Sequence, residues 1–307
     1  MLIVGEVHTG LLRGRAPATP DEAGRFVDLV AGEPVLVSER PIAYVRSPVD
    51  PVGVDCALTP AGSARQVRGV GTVLTRASLT GGHVVQGSAY AEIVPAGRSA
   101  RQQWSHYLAR PGVIEAIGRV RGPELAEALI GGTPALDLGA VAARTLERVQ
   151  RAGGRQGSSR LRSARTRLRW LASDGPEPRV GFGVGRGDLR TVRLTGTGPP
   201  AGEIAALCED IALHDWLLTT LLEAVRKAAP GVLARDEALR RLNPAIDYLL
   251  HLWMPGARGG EMAAAVWEAL ETRPGFTRQW STLVQRIRDQ LSAGAVAALA
   301  APAQRNA

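Results

Sequence analysis

Residues 69–94 read GVGTVLTRASLTGGHVVQGSAYAEIV, the best hairpin signal in the chain. Two β-prone runs, GVGTVLTRASL and HVVQGSAYAEIV, flank the pair Gly81-Gly82. Both glycines can take positive φ without steric cost, as a two-residue primed turn requires, so the stretch predicts an antiparallel hairpin. The runs mix small, polar and apolar residues, and their alternation singles out no one buried face. Outward from the hairpin, residues 1–96 read mainly as strands and turns. LIVGEV (2–7) is a first strand, VLVSERPIAYV (35–45) a further β-rich run, and PDEAGRFVDLV (20–30) one helix.

Beyond the hairpin the pattern turns helical over about 101–150. WSHYLARPGVIEAIGRV (104–120) is expected to be helical with a break at Pro111-Gly112. In DLGAVAARTLERVQRA (137–152), Leu138, Val141, Leu146 and Val149 recur at helical spacing, and Gly153-Gly154 stop the helix. A basic connector follows at 151–165. TRLRWLAS, PRVGFGVG and LRTVRLTG then read as three short strands whose tight turns predict an antiparallel meander, able to pair with the first sheet. GFGVGRG fits neither a dinucleotide fingerprint nor a P-loop. From 201 onward apolar residues recur every three or four positions in helices at 203–228, 236–254, 261–271 and 276–291, which predicts an antiparallel bundle. The expected fold is α+β: a strand-rich N-terminal half with antiparallel hairpins and a second β-meander, then a C-terminal α-helical bundle. The expected division is a β-rich domain over 1–200 and a helical domain over 201–307.

The 307 residues are 45% apolar, enough for a sizeable core. No run is long and apolar enough for a membrane span. The opening MLIVGEVHTGLL lacks the features of a secretory signal, and the two cysteines, Cys56 and Cys208, fit no metal or redox spacing, so a reducing cytoplasmic setting is expected. The net charge of +8 is local: 151–170 holds seven arginines and no acid. Arg160, Arg162, Arg165, Arg167 and Arg169 could neutralise phosphates while Trp170 stacks on a base, which makes a nucleic acid or other polyanion one candidate partner.

Two other constellations carry chemistry. DIALHD (210–215) and DYLLH (247–251) each set an aspartate four positions before a histidine, one helical turn apart. Were the helices adjacent, Asp210, His214, Asp247 and His251 could converge on a metal ion. Against this, His214 lies on the stripe of Ile204, Leu207, Ile211 and Leu218, where a histidine hydrogen-bonded within its own turn is the expected state. Cys56, next to Asp55, would need a base such as His83 within reach to act as a nucleophile. Trp216, Trp253, Trp267 and Trp280 all fall in the helical third. They read either as a broad bundle core or, if exposed, as anchors for a protein partner.

The strings GEVHTGLL, GVDCAL, the 69–94 hairpin, WSHYLARPGVIE, LCEDIALHDWLLTTLL, YLLHLWMPGA and RPGFTRQWSTLVQRIRDQL together resemble an actinobacterial family named after Streptomyces coelicolor locus twenty-five twenty-one, whose function is unknown. The resemblance runs over nearly the whole chain. It implies a single full-length unit within a multi-protein system, encoded beside a variant P-loop protein and a methyltransferase. It brings no catalytic residues and no cofactor. The expectation is a cytoplasmic, non-enzymatic interaction or accessory protein that binds a protein partner through its helices. The competing readings are a polyanion binder acting through 151–170 and an enzyme dependent on a metal or on Cys56.

Overall fold

The computed structural model describes residues 1–12, 16–62, 66–131, 136–154, 161, 163–175, 177–196, 200–228, 235–257 and 261–300. Arg160 and Arg162 therefore lie outside the described residues. In chain order the elements are β1 (Leu2–Leu11), α1 (Pro20–Val27), β2 (Leu36–Ser38), β3 (Tyr44–Arg46), β4 (Asp50–Leu58), β5 (Val67–Thr80), β6 (Val84–Pro95), α2 (Trp104–Leu108), β7 (Val113–Ile117), α3 (Gly122–Gly131) and α4 (Leu138–Ala152). There follow β8 (Thr166–Ser173), β9 (Arg179–Val184), β10 (Leu189–Thr195), α5 (Ala201–Ala228), α6 (Arg235–Leu249), a 3-10 turn at Leu250–Leu252, α7 (Glu261–Thr272) and α8 (Phe276–Ala300). The chain is α+β, strand-rich first and helical last, as its sequence predicts.

All ten strands join one sheet in the order β2-β3-β5-β7-β6-β1-β8-β10-β9, with β4 also on β5. The hairpin of residues 69–94 is its spine: β5 and β6 pair antiparallel from Leu74↔Tyr90 to Thr80↔Val84. Gly81 (φ 56°) and Gly82 (φ 71°) both take the left-handed conformation, in a loop of three residues that His83 completes. Where β5 and β6 diverge, β7 inserts between them, antiparallel to Arg68–Gly71 of β5 and parallel to Glu92–Pro95 of β6. This corrects the helical reading of GVIEAI. Positive-φ Gly112 and Gly118 bracket a five-residue run too short for a stable helix, and the gap offers its backbone partners on both sides.

β1 lies at the centre, antiparallel to both β6 and β8, so the second β region extends the first sheet. The expected meander is corrected in its order: β10 sits between β8 and β9, parallel to β8 and antiparallel to β9. β8 already gives its other edge to β1, and the tight β9–β10 turn makes those two strands a hairpin.

Helices cover both faces. On one face Leu2, Val4, Ala89, Ala91 and Leu171 pack against α3 and α4. On the other Ile3, Val7, Leu168, Trp170 and Leu194 pack against α5 and α7. The central strands β1, β5 and β6 are covered on both faces and show near-continuous burial instead of alternation. A Cβ at Gly87 would lie 2.4 Å from the carbonyl oxygen of Ala142, so glycine there lets α4 cross β6 at close range. α5, α6 and α8 form the bundle, with Trp216, Leu242 and Ile287 in its core, while α7 lies over the sheet beside Ala172 and Leu194. α5 gives Ile204, Leu207 and Ile211 to the core of the sheet and Leu213, Trp216 and Leu217 to that of the bundle, so residue 200 falls at the edge of a shared interior.

Candidate functional site

The middle of α5 carries Glu209, Asp210, His214 and Asp215, all buried among apolar side chains. Asp210 Oδ2 accepts hydrogen bonds from the Gly256 amide at 2.9 Å and from Trp267 Nε1 at 3.0 Å. His214 accepts from the Met254 amide at Nε2 (3.2 Å), so Nδ1 carries the proton and donates to the Asp210 carbonyl at 2.8 Å. Both ring nitrogens are thereby committed. Trp253 and Trp267 pack their rings edgewise on the imidazole, with centroids 5.0 and 5.1 Å away. The first Asp–His pair thus joins α5 to the 254–256 turn and to α7.

The second pair does not come to the first. α6 ends at Leu249, and His251 sits in the 3-10 turn, so the one-turn spacing to Asp247 is broken. Asp247 is exposed. His251 instead approaches His83 at the hairpin tip, ring centroids 6.3 Å apart. His83 Nε2 meets the Tyr248 carbonyl oxygen at 2.7 Å, and burial lowers the pKa of both histidines. Asp210, His214, Asp247 and His251 therefore form no shared metal cage, and no group of three or more such side chains gathers among the described residues.

Cys56 is half-buried on β4, and its thiol pKa is raised, first by burial and then by the Asp55 charge. It pairs with Gly69 at one end of β5, whereas His83 follows Thr80 at the other. Eleven residues of strand span about 36 Å. The thiol and the candidate base are far out of reach of each other.

Arg165, Arg167 and Arg169 have partners within the chain. Arg167 and Arg169 both hold Glu6, at 2.9 Å each, from the strand next to it. Glu6 is 1% exposed, and burial alone would raise its pKa. Contact with His8 and the charges of Arg169 and Arg167 outweigh burial and hold it at about 2. Arg165 reaches Gln150 at 2.6 Å and Glu147 at 3.5 Å. Trp170 is 1% exposed and lies over Gly5, where a Cβ would stand 2.3 Å from its ring. It has no face for a base to stack on. The alternation of Arg167 and Arg169 with Leu168 and Trp170 shows a strand; the acid opposite comes from 161 residues away, beyond what local reading can find.

The tryptophans expected at a partner surface are interior. Trp216 is fully buried, and its Nε1 donates to the Ala164 carbonyl at 3.0 Å. Trp267 and Trp280 are each 6% exposed, and Trp253, half-buried, stacks on Trp280 with centroids 4.3 Å apart. Sequence reasoning missed two further clusters. Arg76 of β5 donates to Glu209 Oε1 at 2.7 Å, Ser88 of β6 donates to the same oxygen, and Gln86 Nε2 donates to the Glu209 carbonyl at 2.9 Å. Arg190 of β10 lies 2.9 Å from Asp215, whose pKa burial raises to about 6 against the opposing pull of Arg190. The signal for both was a charged residue placed on each side of an apolar interface.

These polar groups are closed. Open space lies elsewhere. Leu218 and Leu222 of α5 face Leu283 of α8 across an open groove of about 390 Å³, rimmed by Arg278, Gln279, Thr282 and Arg286. Leu222 is 53% exposed. No acid lines the groove, and neither arginine has an ion-pair partner among the described residues. Compared with known protein families, curated proteins and solved structures, the chain matches none. No helix among the described residues is long and apolar enough to cross a membrane.

Proposed function

We propose that this chain is a non-enzymatic interaction protein that seats an acidic, amphipathic segment of a partner protein in the α5–α8 groove. The observation that carries the reading is the exposed Leu222 beside Leu218, in a groove whose charged lining residues, among those described, are Arg278 and Arg286. Apolar anchors at helical spacing beside unpaired cations suit a helix laid in the groove with its acids toward the arginines. His214, Glu6, Glu209, Asp210 and Asp215 support the same reading by their engagement: each is buried and paired inside the molecule. The proposed partner belongs to the multi-protein system that the family resemblance implies, with the variant P-loop protein and the methyltransferase as first candidates, and the proposed setting is the cytoplasm.

Affinity co-purification from the cell of origin tests this, with wild type compared to Leu222→Asp and to the double variant Arg278→Glu, Arg286→Glu. The expected outcome is one partner retained by wild type and lost from both variants, while far-UV circular dichroism stays unchanged. Equal retention by folded variants would overturn the reading.

A further inference from the structure

The tip of the β5–β6 hairpin is held by backbone bonds to three separate stretches of chain. The Gly81 amide donates to the Ala43 carbonyl at 2.9 Å, the Gly82 carbonyl accepts from Ala18 at 2.7 Å, and the His83 carbonyl accepts from Leu12 at 2.7 Å. The side chain of His83 leaves this fixed tip and reaches the helical bundle. Its Nε2 donates at 2.7 Å to the Tyr248 carbonyl in the last turn of α6, where helix carbonyls lack partners within the helix. Its ring stands edge-on to that of Tyr248, with centroids 5.0 Å apart. Leu252 of the 3-10 turn closes the same contact, since a Cβ on Gly81 would lie 2.8 Å from its side chain.

A histidine in this place is a proton-sensitive tie. The Tyr248 carbonyl can only accept, so Nε2 carries the hydrogen of the neutral ring and Nδ1 is left as an acceptor. Nδ1 is buried and has no hydrogen-bond partner among the described residues. A second proton would settle there and make a cation of a side chain that is 6% exposed. His251, on the turn after α6, sets its ring 6.3 Å from that of His83. The other ionisable groups on the packed elements are Tyr248, Asp247, which is exposed on α6, and Tyr44 of β3, opposite Thr80. Among these, the charge that bears on His83 is that of His251. Burial lowers the pKa of His83 by more than the Tyr248 and Gly81 carbonyls raise it, and His251 lowers it again. Burial lowers the pKa of His251 as well. With both folded values below the ordinary 6.5, the neutral rings stabilise the contact above about pH 6.5, and that contribution is lost as pH falls through the folded values.

We propose that His83 and His251 form an acid-released latch between the sheet and the helical bundle. Neutral, they hold the end of α6 on the hairpin tip. Protonated, they set two like charges side by side, one of them buried, and residues 247–252 come away while the tip keeps its own backbone bonds. The latch does not depend on what the α5–α8 groove binds.

Amide hydrogen exchange of the full chain between pH 7.5 and pH 5, read as protection factors over 247–252 with 84–90 of β6 as reference, tests the latch. Wild type is expected to lose protection at 247–252 several-fold below pH 6.5, reversibly, while β6 holds. His83→Gln, whose amide nitrogen can donate to the Tyr248 carbonyl without titrating, should stay flat over the range. His251→Gln, at an exposed position, should show a shallower fall. Should His83→Gln fold poorly, His251→Gln decides alone. Asp215 titrates at about 6, but its protonated form is the stabilising one, so it cannot produce a loss on acidification. Flat protection in wild type, or a fall of wild-type size in either folded variant, overturns the latch.

Discussion

Glu6 shows how single residues hold this interior together. Its ordinary pKa of 4.5 falls to about 2 in the folded chain because His8, Arg169 and Arg167 outweigh the effect of burial. A depressed folded value means that the ionised carboxylate stabilises the fold above about pH 4.5, and that this contribution is lost as pH falls toward 2. The shift corresponds to about 3 kcal/mol. Glu6→Gln is expected to lose a stability of that order at neutral pH and to flatten the acid limb, as read by urea unfolding across pH. Asp215 has the opposite sign. Its folded pKa is raised from 3.8 to about 6, chiefly by burial, so the contribution of the protonated form is full below 3.8 and lost as pH rises through about 6. The stability of wild type relative to Asp215→Asn should therefore fall by about 2–3 kcal/mol across that window. At the Asp–His pair, Asp210→Ala strands the Gly256 amide and Trp267 Nε1, each costing about 1–3 kcal/mol, and Asp210→Asn, which keeps an acceptor oxygen, should cost less. The i,i+4 spacing of this pair was legible in the sequence. Its partners were not, because they arrive from the 254–256 turn and from α7, forty or more residues along the chain.

Among the elements, the hairpin announced itself because two adjacent glycines have a specific conformational use, and α4 because its apolar spacing faces one layer only. β7 and the order of β8, β10 and β9 did not, since a short strand takes its place from the gaps its neighbours leave. The near-continuous burial of β1, β5 and β6 also hid their faces, as both are covered. The contact of α4 with β6 is the point where an element-scale change has the clearest outcome. Gly87→Ala would set a Cβ 2.4 Å from the Ala142 carbonyl oxygen and force α4 outward, with an expected loss of about 1–3 kcal/mol. Gly97→Ala, with nothing within 4 Å, is the control and should stay within about 0.5 kcal/mol of wild type in the same thermal or urea unfolding series.

Over the whole molecule, α5 unites what the sequence presents as two halves. One face packs on Ile3, Val7 and Leu168 of the sheet, and the helix continues into the core of α6 and α8. Its buried acids anchor it further: Glu209 to β5 and β6, Asp215 to β10. A chain ending at residue 200 would expose the Trp170 face of the sheet, and it is expected to aggregate or to lack a cooperative transition, whereas the full chain should unfold in one. With the polar interior occupied in holding these layers together, the proposed partner site is the outward-facing apolar and basic groove of α5 and α8. The most direct measurement is site-specific photocrosslinking in the cell of origin, with a photoreactive residue at Leu222 and, as reference, at Leu36, an exposed apolar position on the far edge strand. One discrete protein adduct is expected from position 222 and none from position 36. No adduct at 222, or the same adducts from both positions, would contradict the proposed site.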